Sequence, residues 1–597
     1  MTAAPRRLVL AGALAGALAG ASLCAQAAPT PADTQFTALY QQEWRWRISQ
    51  DLADDESQPR AASPAFAHQD SATQLRRLAY WQGVIAALGA IDPAGLSAPE
   101  QVNYAIYRAQ IGAFVDALRF REYEMPVNAD SAFWTDVNYI ARQPFRDAAG
   151  YENYLAKLRA LPVYFDENLA NMRAGLARGF TPPRVTLTGR DAALVAVATA
   201  ARPDDTVFFA PFEAMPATIP AAQQEALRAR GRDAIARHVQ PAYVKALAFM
   251  RGDYMVHART TLAATSLPGG AAYYQSKITE FTTTAMTPEQ IHQLGLSEMA
   301  AIRAEMDAVI KQTGFTGTFA AFLTFLRTDP QFYAKTPEEL LMRAAWVAKK
   351  FDAKAAQYFG YLPRQRFAII PVPADQAPFY TAARGGPGVY LVNTYNLPAR
   401  ALYSLPALTL HESAPGHAFQ LPIAAEQKHV PNFRRAYISA YGEGWALYCE
   451  RLGSEMGIYA TPYETFGMLR YQAWRAARLV VDTGVHAKGW TRARAQAYMR
   501  DNTALSQHEI ETEVDRYISW PGQALSYYLG EMTILAARKK AEAALGPKFD
   551  IRAFHDTVLQ LGSVPLPVLS ARIDTFIADG GNSPYPGEPA GVRANSP

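Results

Sequence analysis

The sequence predicts a mostly α-helical protein with one small β-sheet. A Thr-Pro pair with Glu or Gln three residues after the Thr occurs at Thr287, Thr336 and Thr461. In this pattern the two polar side chains cap the first helical turn, and Pro fits the first helical position. Apolar residues follow each signal at helical spacing, whereas the long alternating runs typical of strands are scarce. Three start signals of one kind therefore indicate a chain built mainly of helices.

The small sheet is predicted from two short segments. Residues 366–372 form one, and residues 388–394, with the sequence GVYLVNT, form the other. Both are short, apolar and bounded by residues that favour turns. The stretch between them is rich in Pro and Gly, which indicates a loop.

The N-terminus has the pattern of an export signal. Arg6 and Arg7 precede an apolar stretch at 8–23, and Ala25-Gln26-Ala27 fits a small-x-small cleavage site. We therefore expect removal of residues 1–27 and a periplasmic or extracellular protein. The general secretory and twin-arginine routes both stay open.

Cysteine content adds two expectations. Leu23 is larger than the residue that usually precedes a lipid-modified cysteine, so lipidation of Cys24 is not expected. Cys449 is then alone in the mature chain, which excludes an intramolecular disulfide.

Composition limits the partners. Half of the 597 residues are hydrophobic, and the formal charge is only +4. The chain has no block of Lys and Arg with interleaved aromatic residues, so nucleic acid is not an expected partner. After the signal no stretch is long and apolar enough to cross a bilayer. The sequence leaves the oligomeric state open.

Four regions are predicted along the chain. A signal peptide at 1–27 is followed by an N-terminal helical region at 28–360. A second helical region at 361–578 contains the sheet and the candidate metal site. The tail at 579–597 is rich in Gly, Pro, Asn and Ser and is expected to be disordered. One core shared by both helical regions remains an alternative.

The motif HESAPGH at 411–417 carries the most chemical information. His411 and His417 are candidate zinc ligands, and Glu412 is placed to act as a general base beside a metal-activated water. The histidines are six residues apart, so on a regular helix they would point about 240° from each other. Pro415 and Gly416 offer a remedy, because Pro interrupts a helix and Gly permits unusual backbone angles. We therefore predict a helix break that returns His417 to the side of His411.

A third ligand is expected on the following helix. Glu443, in the segment YGEGWALY, is the preferred candidate, and Glu450 is the alternative. A helix N-terminal charge is the ordinary structural explanation for Glu443.

Several long segments resemble one bacterial family. HESAPGH, YGEGWALYCERLG, ARLVVDTGVHAKGW and EVDRYISWPGQALSYYLGEM are similar to segments of the family called domain of unknown function 885. That family is viewed as similar to helical zinc peptidases of the gluzincin kind, such as thermostable carboxypeptidases. The resemblance implies a large multi-helix metallopeptidase-like fold, with the sheet beside an active-site cleft. It also implies His411, His417 and Glu443 as ligands and Glu412 as the base.

Further residues are candidates for catalysis. Tyr528 and His486 are possible donors to an oxyanion, as is Tyr527, which is also a candidate for substrate binding. Asp482 lies one turn before His486 and is a candidate to orient its imidazole. A helix C-terminal cation is the structural alternative for His486.

Other candidates concern substrate binding. Arg516 offers a fork that fits a carboxylate, with Tyr517 beside it, although an ion pair of Arg516 with a nearby acid is the alternative. Tyr390 and Asn393 lie in the second predicted strand, whose edge is a candidate for pairing with an extended peptide. An ordinary core strand is the alternative there.

Together these features predict an exported metallopeptidase. One Zn²⁺ per chain is the expected cofactor, and short peptides are the expected substrates. A metallohydrolase acting on esters or cell-wall peptides, and a non-catalytic peptide-binding protein of the same fold, remain alternatives.

Overall fold

Helices make up most of the structure, as the sequence predicts. The computed structural model describes residues 28–53, 64–129, 131–143, 145–374, 377, 382–427 and 430–584. The predicted signal peptide lies outside the described residues, and only 579–584 of the predicted disordered tail lie within them. No helix in the described ranges has the length and apolar character needed to cross a membrane.

Fifteen α-helices precede the sheet in the described part of the chain. They are α1 Pro31–Ser49, α2 Ser71–Gly89, α3 Ala98–Phe120, α4 Phe133–Asp136, α5 Ala148–Ala177, α6 Ala192–Ala198, α7 Ala210–Glu213, α8 Ala221–Ala234, α9 Gln240–Phe249, α10 Met255–His257, α11 Gly270–Thr282, α12 Pro288–Gln312, α13 Phe319–Thr328, α14 Pro337–Asp352 and α15 Ala355–Tyr358.

Nine more α-helices follow the sheet within the described ranges. They are α16 Leu405–Glu412, α17 His417–Glu426, α18 Ser439–Glu455, α19 Pro462–Lys488, α20 Arg492–Asn502, α21 Gln507–Ser519, α22 Ser526–Leu545, α23 Ile551–Gln560 and α24 Leu566–Ala578.

The three Thr-Pro start signals are confirmed. Thr287, Thr336 and Thr461 are the N-caps of α12, α14 and α19. Each hydroxyl accepts a hydrogen bond from a backbone N–H three residues later, at 3.3, 3.1 and 3.2 Å respectively. The caps satisfy donors that have no partner inside a helix, so local sequence fixes where these helices begin.

Helix α19 lies at the centre of the C-terminal half. Along most of its length its side chains are buried, and α12, α16, α20, α21 and α22 pack around it. The largest buried cluster joins α11–α13 to α19–α22, and a second joins α1–α3 to α14–α18 and α22–α24. Both clusters contain residues from each side of position 360, whose role as a domain boundary stays a prediction.

The sheet has three strands, one more than the sequence predicts. The strands are β1 Ala368–Pro371, β2 Ala383–Gly386 and β3 Val389–Val392, in the order β1-β3-β2. β1 runs parallel to β3, and β2 runs antiparallel to it. The predicted strands correspond to β1 and β3. The expectation that the second of them forms an exposed edge is wrong, because β3 lies between the other two.

A close crossing of α18 and α22 positions the candidate site. A Cβ added at Gly444 would lie 2.4 Å from the backbone of Gly530. One added at Gly530 would lie 1.9 Å from the carbonyl oxygen of Ala440. Because only glycine permits this approach, the start of α22 is held against the start of α18, where Glu443 lies.

Substitution of Gly530 tests this crossing. We expect Gly530→Ala to destabilise the protein by about 1–3 kcal/mol or more, since the added methyl group meets backbone that cannot yield easily. The drop in melting temperature is the measurement. Gly83→Ala in α2 is the matched control, because a Cβ there has no neighbour within 4 Å, and it should leave or slightly raise the melting temperature. A Gly530→Ala protein as stable as the control would contradict the proposed role of the crossing.

Candidate metal centre

The predicted helix break brings the two histidines of HESAPGH together. Helix α16 ends at Glu412, and α17 begins at His417. A Cβ at Gly416 would lie 1.9 Å from the carbonyl oxygen of His411, so the tight return of the chain requires glycine there. The two imidazole ring centres lie 4.9 Å apart, with the ring planes at 88°.

Glu443 of α18 completes a group of three. Its Oε2 lies 3.6 Å from His411 Nε2 and 3.5 Å from His417 Nε2. Ligand atoms at about 2.0–2.2 Å from a tetrahedral zinc ion lie roughly 3.3–3.6 Å from one another, by the geometry of the tetrahedron. The three residues present therefore fit a zinc ion, with a fourth position left for water or substrate.

The electrostatics of the group suit a cation. Burial alone lowers the pKa of His411, but the carboxylates of Glu443 and Glu450 outweigh it and raise that pKa to about 9. Burial alone raises the pKa of Glu443, but His417 and His411 hold it well below its usual range. Negative charge is thus concentrated around both imidazoles.

Glu450 supports His411 from behind. Its Oε1 lies 2.8 Å from His411 Nδ1, and both side chains are buried. A carboxylate that accepts the Nδ1 proton leaves Nε2 free to bind a metal, and such outer partners orient the ring. Glu450, the alternative third ligand, is therefore placed one contact away from the candidate metal position.

Glu412 is held by the edge strand of the sheet. The N–H of Gly385 in β2 donates to Glu412 Oε2 at 2.6 Å. Among the described strands β2 pairs with β3, and it also contacts α16 and α17. The carboxylate that follows the first histidine is thereby fixed next to the group without joining it.

Tyr437 is a site residue that the sequence does not reveal. Its hydroxyl donates to Glu443 Oε1 at 3.2 Å, and 46% of the residue is exposed. A Cβ at Gly442 would lie 2.3–2.5 Å from atoms of the Tyr437 side chain, so this glycine forms the notch that seats the ring. The first glycine of YGEGW is the only sequence signal for this contact.

Tyr527 also adjoins the group. It lies in the first turn of α22, partly buried, and its hydroxyl has no hydrogen-bond partner among the described residues. Burial first, and then the charge of Glu443, raise the pKa of this phenol. Its hydroxyl is thus a donor without a partner among the described residues, within electrostatic range of Glu443.

Tyr528 and His486 are not brought to the group. The hydroxyl of Tyr528 donates to Glu298 of α12 at 2.8 Å. His486 is fully buried, with Nδ1 accepting from Ala264 N at 3.0 Å and Nε2 donating to the Tyr517 carbonyl at 2.8 Å. Both ring nitrogens are therefore used in packing α19 against neighbouring segments.

The expectation that Asp482 orients His486 is also wrong. Asp482 accepts hydrogen bonds from the Tyr274 hydroxyl at 2.6 Å and from Gly522 N. Burial raises its pKa to about 7. Asp482 thus fixes α11 and the start of α22 against α19.

Arg516 and Tyr517 are committed to an internal network. Arg516 donates to Glu513 at 2.8 Å and to Gln523. The Tyr517 hydroxyl donates to Glu513 at 2.7 Å and accepts from Arg478 at 2.9 Å. The ion-pair alternative for Arg516 therefore describes its contacts in the structure.

Tyr390 and Asn393 are buried around the central strand. The Tyr390 hydroxyl lies 3.2 Å from the hydroxyl of Thr409 in α16. The Asn393 amide donates to the Ala377 carbonyl at 2.9 Å. Both side chains thus support the sheet, and the edge that faces the candidate metal group belongs to β2.

A second group of possible ligands is already occupied by internal bonds. His68, Asp70 and Glu167 lie close enough to hold an ion. Asp70 caps α2 by accepting from Thr73, while Glu167 contacts His68 Nδ1 at 2.8 Å and accepts from Gln69 N at 2.6 Å. The group around His411 is the better candidate, because Glu443 Oε2 lies 3.5–3.6 Å from both imidazoles, as expected for ligands of one zinc ion.

Comparison with known proteins gives a family and two similar folds. A family model described as "Bacterial protein of unknown function (DUF885)" matches residues 63–573. The chain belongs to this family. A crystal structure of a "putative lipoprotein" from Colwellia psychrerythraea is 26% identical, with a TM-score of 0.86, and the match covers 92% of this chain and 100% of that one. A "putative lipoprotein of unknown function" from Shewanella oneidensis is 18% identical, with a TM-score of 0.64 and coverage of 90% and 98%. No curated protein matches the sequence.

The environment of His486 predicts acid sensitivity. Burial lowers its pKa from 6.5 to about 4. The folded protein holds this imidazole neutral, so protonation of the unfolded chain lowers the free energy of unfolding below pH 6.5. This loss grows to about 3 kcal/mol as the pH falls toward 4, and there is none above the unfolded-state pKa near 6.5. We expect His486→Gln to reduce the drop in melting temperature between pH 7 and pH 5, whereas exposed His508→Gln should keep the wild-type drop. An unchanged drop in the His486 variant would contradict this structural role.

Proposed function

We propose that this protein is an exported, zinc-dependent peptidase that cleaves short peptides. One observation carries the proposal: His411, His417 and Glu443 place three ligand atoms at zinc-compatible separations, and Glu412 stands beside them. A structural site needs only ligands, whereas hydrolysis also needs a base, which a fixed carboxylate next to the group supplies. The family to which the chain belongs is viewed as similar to gluzincin-type zinc peptidases, which favours the same reaction class.

The chemistry follows from the positions of the side chains. A zinc ion bound here would polarise a carbonyl group and lower the pKa of a bound water to about 7. Glu412 accepts a proton from the attacking water and passes it to the leaving amine. Tyr527 donates a hydrogen bond to the carbonyl oxygen as negative charge develops there. Tyr437 holds Glu443 in place through its hydroxyl.

Peptide substrates are supported by the position of the sheet. Among the described strands β2 is an edge strand, it contacts α16, and its Gly385 N–H reaches Glu412. Extended peptides pair with such edges through main-chain hydrogen bonds. A substrate lying along β2 would pass close to the proposed base.

Two observations support export. The first 27 residues have the features of a cleaved signal. The similar structures from Colwellia and Shewanella are both described as lipoproteins, a class that is exported. We therefore propose a periplasmic or extracellular location.

Metal content tests the ligand assignment. We expect the purified mature protein to bind about one zinc ion per chain, and His417→Ala to retain less than roughly a tenth of that, because losing a ligand costs more than the ~10–100-fold lost with an outer-shell partner. Mass spectrometry of the metal is the measurement. His508→Ala is the matched control, since His508 also precedes a glutamate but is exposed. Full zinc in the His417 variant, or none in the wild type after zinc is supplied, would overturn the assignment.

Kinetics on peptide pools test the catalytic assignment. We expect Glu412→Gln to keep zinc and lower kcat by about 10²–10⁴-fold, the usual contribution of a general base. Tyr527→Phe should lower kcat by roughly 10²–10³-fold with little change in KM, as for loss of an oxyanion donor. Tyr528→Phe is the control, because its hydroxyl is bound to Glu298, and it should stay near wild type.

Two results would favour one of the alternative functions over a zinc peptidase. Full zinc occupancy without hydrolysis of peptides or esters would favour a non-catalytic peptide-binding protein. Glu412-dependent hydrolysis of esters or cell-wall peptides alone would favour the other metallohydrolase class.

A further inference from the structure

Two buried arginines of α19 lie beside the ring of Tyr527. Arg475 and Arg478 are 5% and 3% exposed. Three residues apart on one helix, they share a face. Their guanidinium carbons lie 5.9 and 4.5 Å from the centre of the Tyr527 ring. Both cations therefore lie beside the ring that is the proposed donor to the oxyanion.

These arginines have hydrogen-bond donors that the described residues do not satisfy. Arg475 Nε and Nη1, and Arg478 Nη1, are buried without a partner. Of the buried arginines in the described ranges, Arg475 is the only one with two such nitrogens. Arg475 Nη2 lies 3.9 Å from Glu450 Oε1, which is already 2.8 Å from His411 Nδ1. A buried donor without a partner costs about 1–3 kcal/mol, and more when it is charged.

The charges in this region are also unequal. Arg478 and Arg516 share one carboxylate, Glu513, at 3.1 and 2.8 Å. Glu513 is ionised, because the two arginines outweigh the effect of burial and lower its pKa to about 2. Arg475 adds a third cation, whose nearest carboxylate, Glu450, also serves His411. Within 4 Å, the three arginines thus share two carboxylates, and the rings of Tyr471 and Trp474 lie 4.6 and 4.4 Å from the guanidinium carbon of Arg475.

We propose that Arg475 and Arg478 form a subsite that binds a carboxylate group of the peptide substrate. This inference rests on the proposed peptidase function and adds substrate selection to it. A carboxylate accepts hydrogen bonds from guanidinium nitrogens, and the pair is strong where water is excluded. Such a group would accept from one free donor of each arginine, for example Nη1 of Arg475 and Nη1 of Arg478. Its source is the C-terminal carboxylate of a short peptide or an acidic side chain.

The subsite replaces the one expected at Arg516. The Arg516 guanidinium already donates hydrogen bonds to Glu513 and Gln523. The donors without a partner among the described residues belong instead to Arg475 and Arg478 of α19. Selection of a carboxylate would therefore act next to Tyr527, the proposed donor to the oxyanion.

The test compares three matched tripeptide pools on the zinc-loaded full chain. One pool has a free C-terminal carboxylate, the second has a C-terminal amide, and the third has the amide with Glu as its last residue. We expect kcat/KM for the acid pool to exceed that for the plain amide pool by about 10–100-fold, as for a charged hydrogen-bonded pair, mainly through KM. A high rate for the third pool would show that a side-chain carboxylate also enters the subsite.

Binding separates this inference from the proposed function. Calorimetry of the same pools with the zinc-loaded Glu412→Gln protein reports recognition without hydrolysis. We expect the acid pool to bind tighter than the plain amide pool by the same factor. Equal binding of the three pools, or no binding of any, would overturn the subsite. Failure of the wild type to hydrolyse any pool would overturn the peptidase proposal, while the binding comparison would still decide the subsite.

Variants of Arg475 assign the recognition to this side chain. Arg475→Gln removes the charge, and Arg475→Lys keeps it but replaces the guanidinium nitrogens by a single ammonium group. Both should lose most of the acid preference through a higher KM, with zinc content retained. Arg451→Lys is the matched control on α18, because Arg451 pairs with Glu305, and it should keep the wild-type preference. If the Gln variant does not fold, the Lys variant carries the test, and a folded Lys variant with full acid preference would overturn the role of Arg475.

Discussion

The candidate site depends on the interruption of one helix between residues 413 and 416. On a continuous helix His411 and His417 would face nearly opposite directions, and no ion could contact both. Ending α16 at Glu412 and restarting the chain at His417 turns the second imidazole back toward the first. The return is tight enough that a side chain at Gly416 would collide with the backbone of His411. The contacts of Glu443 with both histidines depend on this turn.

Helix α18 converts that turn into a defined position. Glu443 and Glu450 are seven residues apart and lie on the same face, so one reaches both imidazoles while the other holds His411 Nδ1. Trp445, between them, donates to the Pro415 carbonyl at 2.8 Å and ties the same helix to the interruption itself. One helix thus supplies a candidate ligand, the support of a second ligand, and an anchor for the loop.

Local signals in the sequence were sufficient to predict the helix starts, the interruption and the three candidate ligands. The Thr-Pro caps are satisfied within one turn, so their positions follow from the residues alone. The interruption near Pro415 was predictable, because proline and glycine act on their own backbone. The pairing of Glu443 with the histidines followed from motif spacing and the family resemblance, and the structure places the three side chains together.

Contacts between residues far apart in the sequence could not be predicted from local signals. β2 contains Arg384 and two glycines, so it has no strand pattern and exists because β3 lies beside it. Tyr528 and His486 have the chemistry of catalytic residues, but their partners are Glu298 and Ala264, more than 200 residues away. Tyr437 reaches Glu443 only through the notch at Gly442. Side-chain chemistry identified candidates, and packing decided which of them face the group.

The close crossing of α18 and α22 links the metal group to the arginines. Gly444 and Gly530 let the two helices touch, which holds the start of α22, with Tyr527, against the start of α18, with Glu443. Arg475 and Arg478 of α19 lie beside the Tyr527 ring. Acidic groups therefore lie around the imidazoles, and cationic donors without a partner among the described residues lie close by on α19. A bound cation and a substrate carboxylate would complete the two sets, because each would give buried charged groups a partner of opposite charge.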